Sequence, residues 1–378
     1  MVQVLKALAA DRLVYKKGIQ WIAGAETAPR SGTHIHPGPD DWPVVLLIST
    51  NFLRLYRSYT SAHLAKFTSS FERELQNTTI RKEIIYTRES NDPSFALDTI
   101  REAVNKLEHR YQGAILIDFH NAAHKNLPAM KYLISKRRPV VFFDHWDNPE
   151  KVSRKALGDT NRAFFYLHQD ERAAVQLALD TLARYGHRRI VVPRFEAQGY
   201  EWVNTRIALA QELAKEMNPA PELCIAPYSA EVWNPREWTP PFNEDIFGSS
   251  PQPAKAPKTV SPAVQQKRYA RATSDLLKFI RAQNATALLA VNDSFALNHF
   301  YRFFSLGVQI PKDLSILSFD NTHETQLFPL STIDFGFDRL GYLAAHLLIG
   351  DIPIQVRASG MIAGKCNLQD SGSIGRML

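Results

Sequence analysis

The chain is poor in cysteine and has no long apolar run. Cys224 and Cys366 are the only cysteines among its 378 residues. Two are too few for a disulfide framework or a thiolate zinc site, so we expect reduced thiols in a cytoplasmic protein. No apolar run approaches the ~20 residues that a membrane-spanning helix needs. A charged start followed by an apolar stretch is also missing at the N-terminus, and we therefore expect no signal peptide.

The common catalytic and nucleotide-binding motifs are missing as well. There is no G-x-G-x-x-G, no G-x-x-x-x-G-K-[ST], no G-x-S-x-G and no H-E-x-x-H. A lone His-x-His at His34 and His36 rarely binds a metal. Asp144 and Asp320 could form a carboxylate pair, but a binding cleft explains them as well as acid-base chemistry does. We predict no enzyme, no cofactor and no metal site.

What is present is an ordinary globular composition with a basic balance. Hydrophobic residues make up 45% and charged residues 22%, and the net charge is +7. This length accommodates two or three domains. A basic chain is compatible with nucleic-acid or acidic partners, although many unrelated proteins are mildly basic.

From Pro43 onward, short apolar runs alternate with amphipathic segments, which predicts an α/β fold with parallel sheets. We predict two Rossmann-like subdomains, the first from 43–167 with 336–351 and the second from 168–335 with 352–378. Residues 25–42 are rich in glycine and proline and predict a linker. Ten prolines between 219 and 262 predict a long surface insertion.

The most informative stretch is a β-α-β unit over residues 287–320. An apolar run ends at Asn292 and Asp293, an amphipathic segment stops at Gly307, and a second strand ends on Asp320. Ligands of open α/β sheets bind at such carboxyl ends of strands. The alternative for Asn292 and Asp293 is simple capping of the helix that follows.

The same stretch resembles the effector domain of LacI/GalR-type transcriptional regulators. The matching features are Asn292-Asp293 after a strand, G-x-x-I-P-x-D-L-S-I-L-S-F-D from Gly307 to Asp320, Ser331-Thr332-Ile333, Gly186-His187-Arg188 and Gly341 in the last helix. The resemblance runs from about Trp42 to the C-terminus. It implies a periplasmic binding protein type I-like architecture with three crossovers, near 167–169, 333–336 and 350–354.

This resemblance also implies a ligand site in a cleft between the subdomains. The residues it assigns to ligand binding are Asp144, Arg206, Asn292, Asp293 and Asp320. Three further candidates rest on their position alone, namely Asn51, Phe52 and Trp233. Carboxylates, amides and guanidinium groups suit the hydroxyls of a small polar molecule. A sugar is the family's usual ligand, but Ala174 and Phe335 depart from its pattern, so a purine or nucleoside stays open.

The N-terminus resembles the end of a GntR-type winged helix. Residues 2–11 predict a helix, and two β-prone runs, 13–15 and 19–22, predict a hairpin around Lys16-Lys17-Gly18. On this interpretation Gln3, Lys6, Arg12, Lys16 and Lys17 would face DNA. Since a winged helix needs further helices before this point, we expect a truncated domain in residues 1–24.

The resulting interpretation is a cytoplasmic transcriptional regulator. A small-molecule effector would shift subdomain closure in a homodimer and change its affinity for operator DNA. The resemblance implies that this effector is a carbohydrate. Helices near 59–76 and 93–110 would form the dimer contact. The alternatives are a solute-binding protein for a transporter and a ligand sensor that lacks its own DNA binding.

Overall fold

The structure of the protein is a computed structural model. It describes residues 14–17, 20–23, 41–49, 60–86, 93–118, 123–144, 164–195, 201–228, 262–354 and 361–377. The chain divides into two compact units. Unit 1 comprises Met1–Asn51, Phe67–His168 and Asp338–Ala363, and unit 2 comprises Phe52–Lys66, Gln169–Phe337 and Gly364–Leu378.

The N-terminal hairpin predicted from sequence is present. Strands β1 (Val14–Lys17) and β2 (Gln20–Ala23) pair antiparallel, with Lys17 opposite Gln20. The two lysines therefore lie in β1, and not in the turn predicted for Lys16-Lys17-Gly18. Gln3, Lys6 and Arg12 lie outside the described residues. Lys16 and Lys17 are described only by their backbone.

Unit 1 is built around a six-stranded sheet in the order β13-β7-β6-β5-β3-β4, in which every pairing is parallel. Its strands are β3 (Val44–Ser49), β4 (Arg81–Tyr86), β5 (Tyr111–Asp118), β6 (Val140–Asp144), β7 (Phe164–His168) and β13 (Met361–Ala363). Its helices are α1 (Thr60–Leu75), α2 (Pro93–Leu107), α3 (Ala123–Ser135) and α8 (Phe337–Ile349), and a 3₁₀ turn spans Glu108–Arg110. The first two turns of α1 and the first residue of α8 are assigned to unit 2.

The core of unit 1 is almost entirely aliphatic and aromatic. Its central strands β3 and β6 are nearly continuous apolar runs, as expected for a parallel sheet that is covered on both faces. The closest approach between its helices occurs at Gly341 of α8, where an added Cβ would lie 2.1 Å from the carbonyl oxygen of Phe67 in α1. Only glycine allows the two backbones to come so near.

Unit 2 repeats this architecture with the strand order β14-β12-β11-β10-β8-β9, and only β14 runs antiparallel to its neighbour. The strands are β8 (Arg189–Phe195), β9 (Glu222–Tyr228), β10 (Ala287–Leu289), β11 (Ser315–Phe319), β12 (Ser331–Asp334) and β14 (Asn367–Gln369). The helices are α4 (Glu171–Arg184), α5 (Glu201–Glu216), α6 (Pro262–Ala282) and α7 (Asp293–Ser305), and a 3₁₀ turn spans His323–Leu327.

The order of the strands fixes where a ligand site is expected. In unit 2 the chain proceeds from β8 outward to β9, and then continues on the other side of β8 with β10. The carboxyl ends of strands at such a reversal form the usual ligand position of an open α/β sheet. Asn292 and Asp293 follow β10 at this reversal.

Three expectations about elements differ from the structure. Residues 222–228 form β9 inside the predicted insertion, where the sequence favours a short strand only at 224–226. The amphipathic pattern predicts a helix over 127–136, whereas α3 begins at Ala123 and accommodates Pro128 in its second turn. Strand β13 pairs with β7 in unit 1, so the last transfer to unit 2 follows Ala363 instead of 350–354.

No helix in the described part of the chain is long and apolar enough to span a membrane.

Candidate functional site

The carboxyl edge of the unit 2 sheet carries a buried ion pair between Arg206 and Glu171. Arg206 projects from the second turn of α5, and Glu171 is the first residue of α4. The guanidinium donates to both carboxylate oxygens of Glu171, through Nε and through Nη2 at 3.0 Å, and its Nη1 donates to the carbonyl of Val291. Both side chains are buried, and this forked geometry is the strongest form of such a pair.

Aromatic rings complete the environment of Arg206. Its guanidinium carbon lies 4.4 Å from the ring centroid of Phe319 and 5.4 Å from that of Phe335. The rings leave the guanidinium little access to water, which strengthens its pairing with Glu171. Phe335, a departure from the family pattern, therefore has a packing role against the arginine.

Asp293 lies at the start of α7 and is fully buried. It accepts hydrogen bonds from the Ser318 and Thr332 hydroxyls and from the Thr322 backbone N–H, the last two at 2.7 and 2.8 Å. Burial, followed by the nearby charge of Asp320, raises the pKa of the Asp293 carboxyl. The residue ties β11, β12 and the turn after β11 together at one point.

Asn292, not Asp293, caps helix α7. Its side-chain oxygen accepts from the Phe295 backbone N–H at 2.9 Å, and its backbone is extended, as an N-cap requires. The capping alternative considered for this pair of residues thus applies to Asn292. Asp293 instead anchors the strand ends.

Asp320 follows directly after β11 and has a φ of 107°, a backbone conformation that residues other than glycine rarely adopt. Such a conformation costs on the order of 1–3 kcal/mol and commonly marks a functional position. Oδ1 of Asp320 lies 3.6 Å from Nε2 of His63, in the part of α1 assigned to unit 2. The His63 ring stacks on Phe337 at 4.6 Å, and burial together with Lys66 lowers the pKa of His63 to about 3.

Two buried hydroxyls beside this cluster have no hydrogen-bond partner among the described residues. They belong to Ser294, one residue after Asp293, and to Thr322, whose backbone N–H binds Asp293. A buried hydroxyl without a partner is costly, and a bound molecule with a polar group would satisfy it. Both are therefore candidates for ligand contact.

A second polar group extends the edge toward β12. Asp334 accepts from the Asn321 side-chain amide at 2.6 Å and from the Gly336 backbone N–H at 2.8 Å. The Nζ of Lys66 lies 3.5 Å from Asp334 and also donates to the Asn321 carbonyl. The cluster thus balances the carboxylates of Glu171, Asp320 and Asp334 against two cations.

The arrangement supports binding more readily than catalysis. Neutral hydroxyls and fixed carboxylates can orient a polyhydroxylated molecule by several hydrogen bonds. No group of three or more potential metal ligands occurs in the described ranges. The imidazole closest to the carboxylates, His63, is stacked and buried.

The structure brings four of the predicted ligand residues together at this edge, namely Arg206, Asn292, Asp293 and Asp320. Asp144 is the last residue of β6, at the carboxyl edge of the unit 1 sheet, and only its backbone is described. Asn51, Phe52 and Trp233 lie outside the described residues.

Sequence reasoning missed the partners that organise the cluster. Glu171 lies 35 positions from Arg206, and Thr332 lies 39 positions from Asp293. One signal was available for Glu171, since it follows the predicted crossing near 167–169. Ser318 is a buried polar residue between apolar neighbours in β11, and this break in the pattern was a second signal.

Comparisons with known proteins find a similar domain and similar folds. Residues 179–362 match the family model of the periplasmic binding protein-like domain. The HTH-type transcriptional repressor PurR of Actinobacillus pleuropneumoniae is 34% identical over 71 residues, which are 18% of this chain and 21% of the repressor. The chain therefore matches only about a fifth of the length of this curated relative.

Solved structures share the fold over most of the chain. A LacI family regulator from Enterococcus faecium with bound ribose is 17% identical, with a TM-score of 0.53, and the match covers 88% of this chain and all of that one. A LacI family regulator from Arthrobacter sp. FB24 in complex with lactose is 15% identical, with a TM-score of 0.51, over 87% of this chain and 99% of that one. The predicted α/β architecture with two parallel-dominated subdomains is confirmed.

Proposed function

We propose that the chain is a transcriptional regulator of the LacI type. A small polar ligand binds at the carboxyl edge of the unit 2 sheet and changes the affinity of the protein for operator DNA. The observation that carries this proposal is the buried cluster around Asp293 and Arg206, at the strand reversal where open α/β sheets bind ligands. Likeness to regulators that bind ribose and lactose supports it.

The charges of the cluster favour a neutral ligand. Arg206 already holds a carboxylate of the protein itself, that of Glu171, so the fork that would grip an anionic ligand is occupied. Bringing a second anion next to Glu171 and Asp320 would add like-charge repulsion in a buried site. We therefore propose an uncharged sugar or nucleoside over a sugar phosphate or a sugar acid.

A thermal-shift screen tests the ligand class. The panel pairs neutral and anionic forms, such as ribose with ribose 5-phosphate and glucose with glucose 6-phosphate, and adds lactose, cellobiose and nucleosides. A ligand at about 100 times its Kd stabilises by about 2.7 kcal/mol, which is visible as a rise in the midpoint. We expect a neutral compound to raise the midpoint and its phosphorylated form to have no effect.

Two threonines provide matched variants for this screen. Thr322→Val and Thr181→Val each remove a buried hydroxyl that has no partner among the described residues, but Thr181 lies in α4 away from the strand ends. Thr322→Val should abolish the ligand-dependent shift, and Thr181→Val should retain it. Equal responses of the two variants would place the ligand elsewhere.

DNA binding separates this proposal from the second candidate. The match to a periplasmic binding protein-like domain is also compatible with a solute-binding protein. A regulator should bind operator DNA with an affinity that ligand changes by about 5-fold to 150-fold, equivalent to about 1–3 kcal/mol of coupling. Ligand binding without DNA binding by the full chain would favour the solute-binding protein or a sensor without its own DNA contact.

We also propose that the protein is a cytoplasmic homodimer. The best support is an exposed apolar surface on unit 2, where Tyr301, Phe304 and Leu327 have 51%, 75% and 73% of their surface exposed. Phe328 packs edge-on against Tyr301, which makes the surface continuous. Large exposed apolar patches commonly mark protein contacts. The earlier prediction that α1 and α2 form the dimer contact stays a prediction.

Light scattering coupled to size exclusion tests the dimer. The wild type should elute with the mass of two chains at micromolar concentration. Phe304→Asp should shift it to one chain, and Val264→Asp, at another exposed apolar residue, should not. A dimer that survives Phe304→Asp would exclude this surface.

A further inference from the structure

The amino edge of the unit 1 sheet is strongly basic. All strands of this sheet are parallel, so their first residues lie along one edge, opposite the carboxyl ends. At the starts of β4, β5 and β6 and at the ends of the preceding helices lie seven cationic residues: Arg81, Lys82, Lys106, Arg110, Lys136, Arg137 and Arg138. Carboxylates in the described part of the edge include Asp41, Glu108, Glu72, Glu74 and Asp351. Of these, Glu72 pairs with Lys82, and Glu74 and Asp351 both pair with His346.

Helix stabilisation explains only part of this charge. Lys106 and Lys136 lie at or just beyond the ends of α2 and α3, where a cation compensates the helix dipole. Arg81 opens a strand, while Arg137 and Arg138 lie beyond a helix and in front of β6. Lys136, Arg137 and Arg138 are all exposed. A run of three exposed cations on one turn repels itself unless a polyanion is near.

A depression of about 310 Å³ lies in the same edge. Its lining includes Asn105, Tyr111, Lys136, Arg138 and one acid, Glu108. Tyr111 is buried, and its hydroxyl has no hydrogen-bond partner among the described residues. Burial raises the pKa of Tyr111, so the phenol keeps its proton and remains a donor. The exposed Arg138 guanidinium and Lys136 ammonium group line this depression and are donors that bind a phosphate group, whereas the Tyr111 hydroxyl is too deeply buried to reach a duplex.

The edge is also where the N-terminal part of the chain joins unit 1. Strand β3 begins at Val44, so Trp42 and Pro43 lie on the same side of the sheet as the basic residues. The guanidinium carbon of Arg81 lies 4.6 Å from the centroid of the Trp42 ring, and the Arg81 N–H donates to the Pro43 carbonyl. The incoming chain is thus fastened to the basic edge.

We infer that this amino edge is a second nucleic-acid contact, which binds the phosphate backbone of duplex DNA beside the N-terminal segment. The inference rests on the DNA-binding part of the proposed function. Four neighbouring strands, β6, β5, β3 and β4, span about 15 Å at the usual strand spacing. That width is enough to face several phosphates of one duplex, which carries a charge about every 1.7 Å. The contact carries no sequence information and adds affinity that falls with salt.

Fluorescence anisotropy with a labelled 30-base-pair duplex of arbitrary sequence tests this contact. The full chain is titrated between 50 and 200 mM potassium chloride. The test variant combines Lys136→Gln, Arg137→Gln and Arg138→Gln. The matched control combines Lys267→Gln, Arg268→Gln and Arg281→Gln, which removes three exposed cations from α6 in unit 2.

The edge variant should weaken binding by at least tenfold and lower the slope of log K against log salt by about 2–3, because each lost phosphate contact contributes about 0.9. The control variant should keep the wild-type slope to within about 0.5. Tyr111→Phe, which removes only the buried hydroxyl, should keep the wild-type affinity and salt slope.

Three results would overturn the inference. If the wild type binds DNA and the edge variant behaves as the control does, the edge is not a DNA contact although the proposed function stands. If the edge variant loses binding of poly-L-glutamate as strongly as that of DNA, the edge recognises acidic polymers in general, as an acidic protein partner would need. If the wild type binds no duplex at any salt concentration, both this contact and the DNA-binding part of the proposed function are wrong.

Discussion

The two units have the same order of strands but differ in the side chains that they bury. Unit 1 buries aliphatic and aromatic side chains, and the polar residues buried in it are Ser70 and His168 among those described. Unit 2 buries charged and hydroxyl groups at several levels, including the Arg206–Glu171 pair, Asp293 with its three donors, and His299 between Tyr228 and Thr273.

This difference separates two ways of specifying the same fold. An apolar core is non-directional, so unit 1 should respond to changes of volume. A buried polar network depends on every partner, so unit 2 should respond to the loss of a single hydrogen bond or charge. The polar unit is also the one in which binding groups are already arranged before a ligand arrives.

The largest effect should come from separating the buried ion pair. Glu171→Ala leaves Arg206 charged and buried, and we expect a loss of about 3–5 kcal/mol of unfolding free energy. Chemical denaturation followed by circular dichroism measures it. In contrast, Arg172→Ala breaks the exposed pairs with Glu212 and Glu216 and should cost at most about 1 kcal/mol.

A double variant sharpens this test. Glu171→Ala with Arg206→Leu removes both charges and should recover a large part of the lost stability, since an apolar pair can replace a buried ion pair. If the double variant is as unstable as the sum of its single changes, the two residues do not act as a pair.

Added side-chain volume at the close contact between α1 and α8 should destabilise unit 1. Gly341→Ala places a methyl group against the Phe67 carbonyl, and we expect a loss of about 1–3 kcal/mol from overpacking. Gly350→Ala is the control for the same substitution at a glycine with open space around it, although its φ of 73° adds backbone strain. A Gly341→Ala protein with wild-type stability would mean that α1 and α8 separate easily.

The pH dependence of stability should come mainly from unit 2. Burial lowers the pKa of His299 to about 3, so its imidazole stays neutral in the folded protein while the unfolded chain gains a proton below about pH 6.5. Stability is therefore lost as the pH falls from 6.5 toward 3, by at most about 1.4 kcal/mol per pH unit. Glutamine does not titrate, so the His299→Gln protein should lose less unfolding free energy than the wild type between pH 6.5 and 3. Denaturation curves recorded at several pH values measure this difference.

The Asp293 carboxyl should change the pH dependence of stability in the opposite direction to His299. Its raised pKa means that the folded protein holds a proton that the unfolded chain releases above about pH 4, so its contribution to stability is lost as the pH rises. Asp293→Asn should remove this loss. An unchanged profile in both variants would show that the titration of other groups sets the pH dependence.

The smallest effect is expected where a buried hydroxyl has no partner. Thr181→Val and Thr322→Val both keep the shape of the side chain and remove an unsatisfied polar atom, so the unfolding free energy should change by no more than about 0.5 kcal/mol. A loss above about 1.5 kcal/mol would show that the hydroxyl is bonded in solution. Calorimetry resolves either result.

The sequence predicts the alternation of strands and helices well, because the apolar runs and amphipathic spacings are local. It also predicts that Asn292, Asp293 and Asp320 meet at one edge, since parallel strands place their carboxyl ends together. It does not predict which group binds which, because Glu171 and Arg206 meet only through tertiary packing. The run 224–226 favours a short strand, but the surrounding prolines favour a loop, so the full extent of β9 is not predicted; Pro227 lies in an edge strand, where proline is tolerated.

The most direct test of the account is amide hydrogen exchange with and without the neutral compound that stabilises the protein best. Our account predicts slower exchange at residues 290–296 and 319–325, which carry the polar edge of unit 2. Exchange at 183–190 and 281–287, at the opposite edge of the same sheet, should stay unchanged. Protection confined to the opposite edge or to unit 1 would contradict the assignment of the ligand site to this cluster.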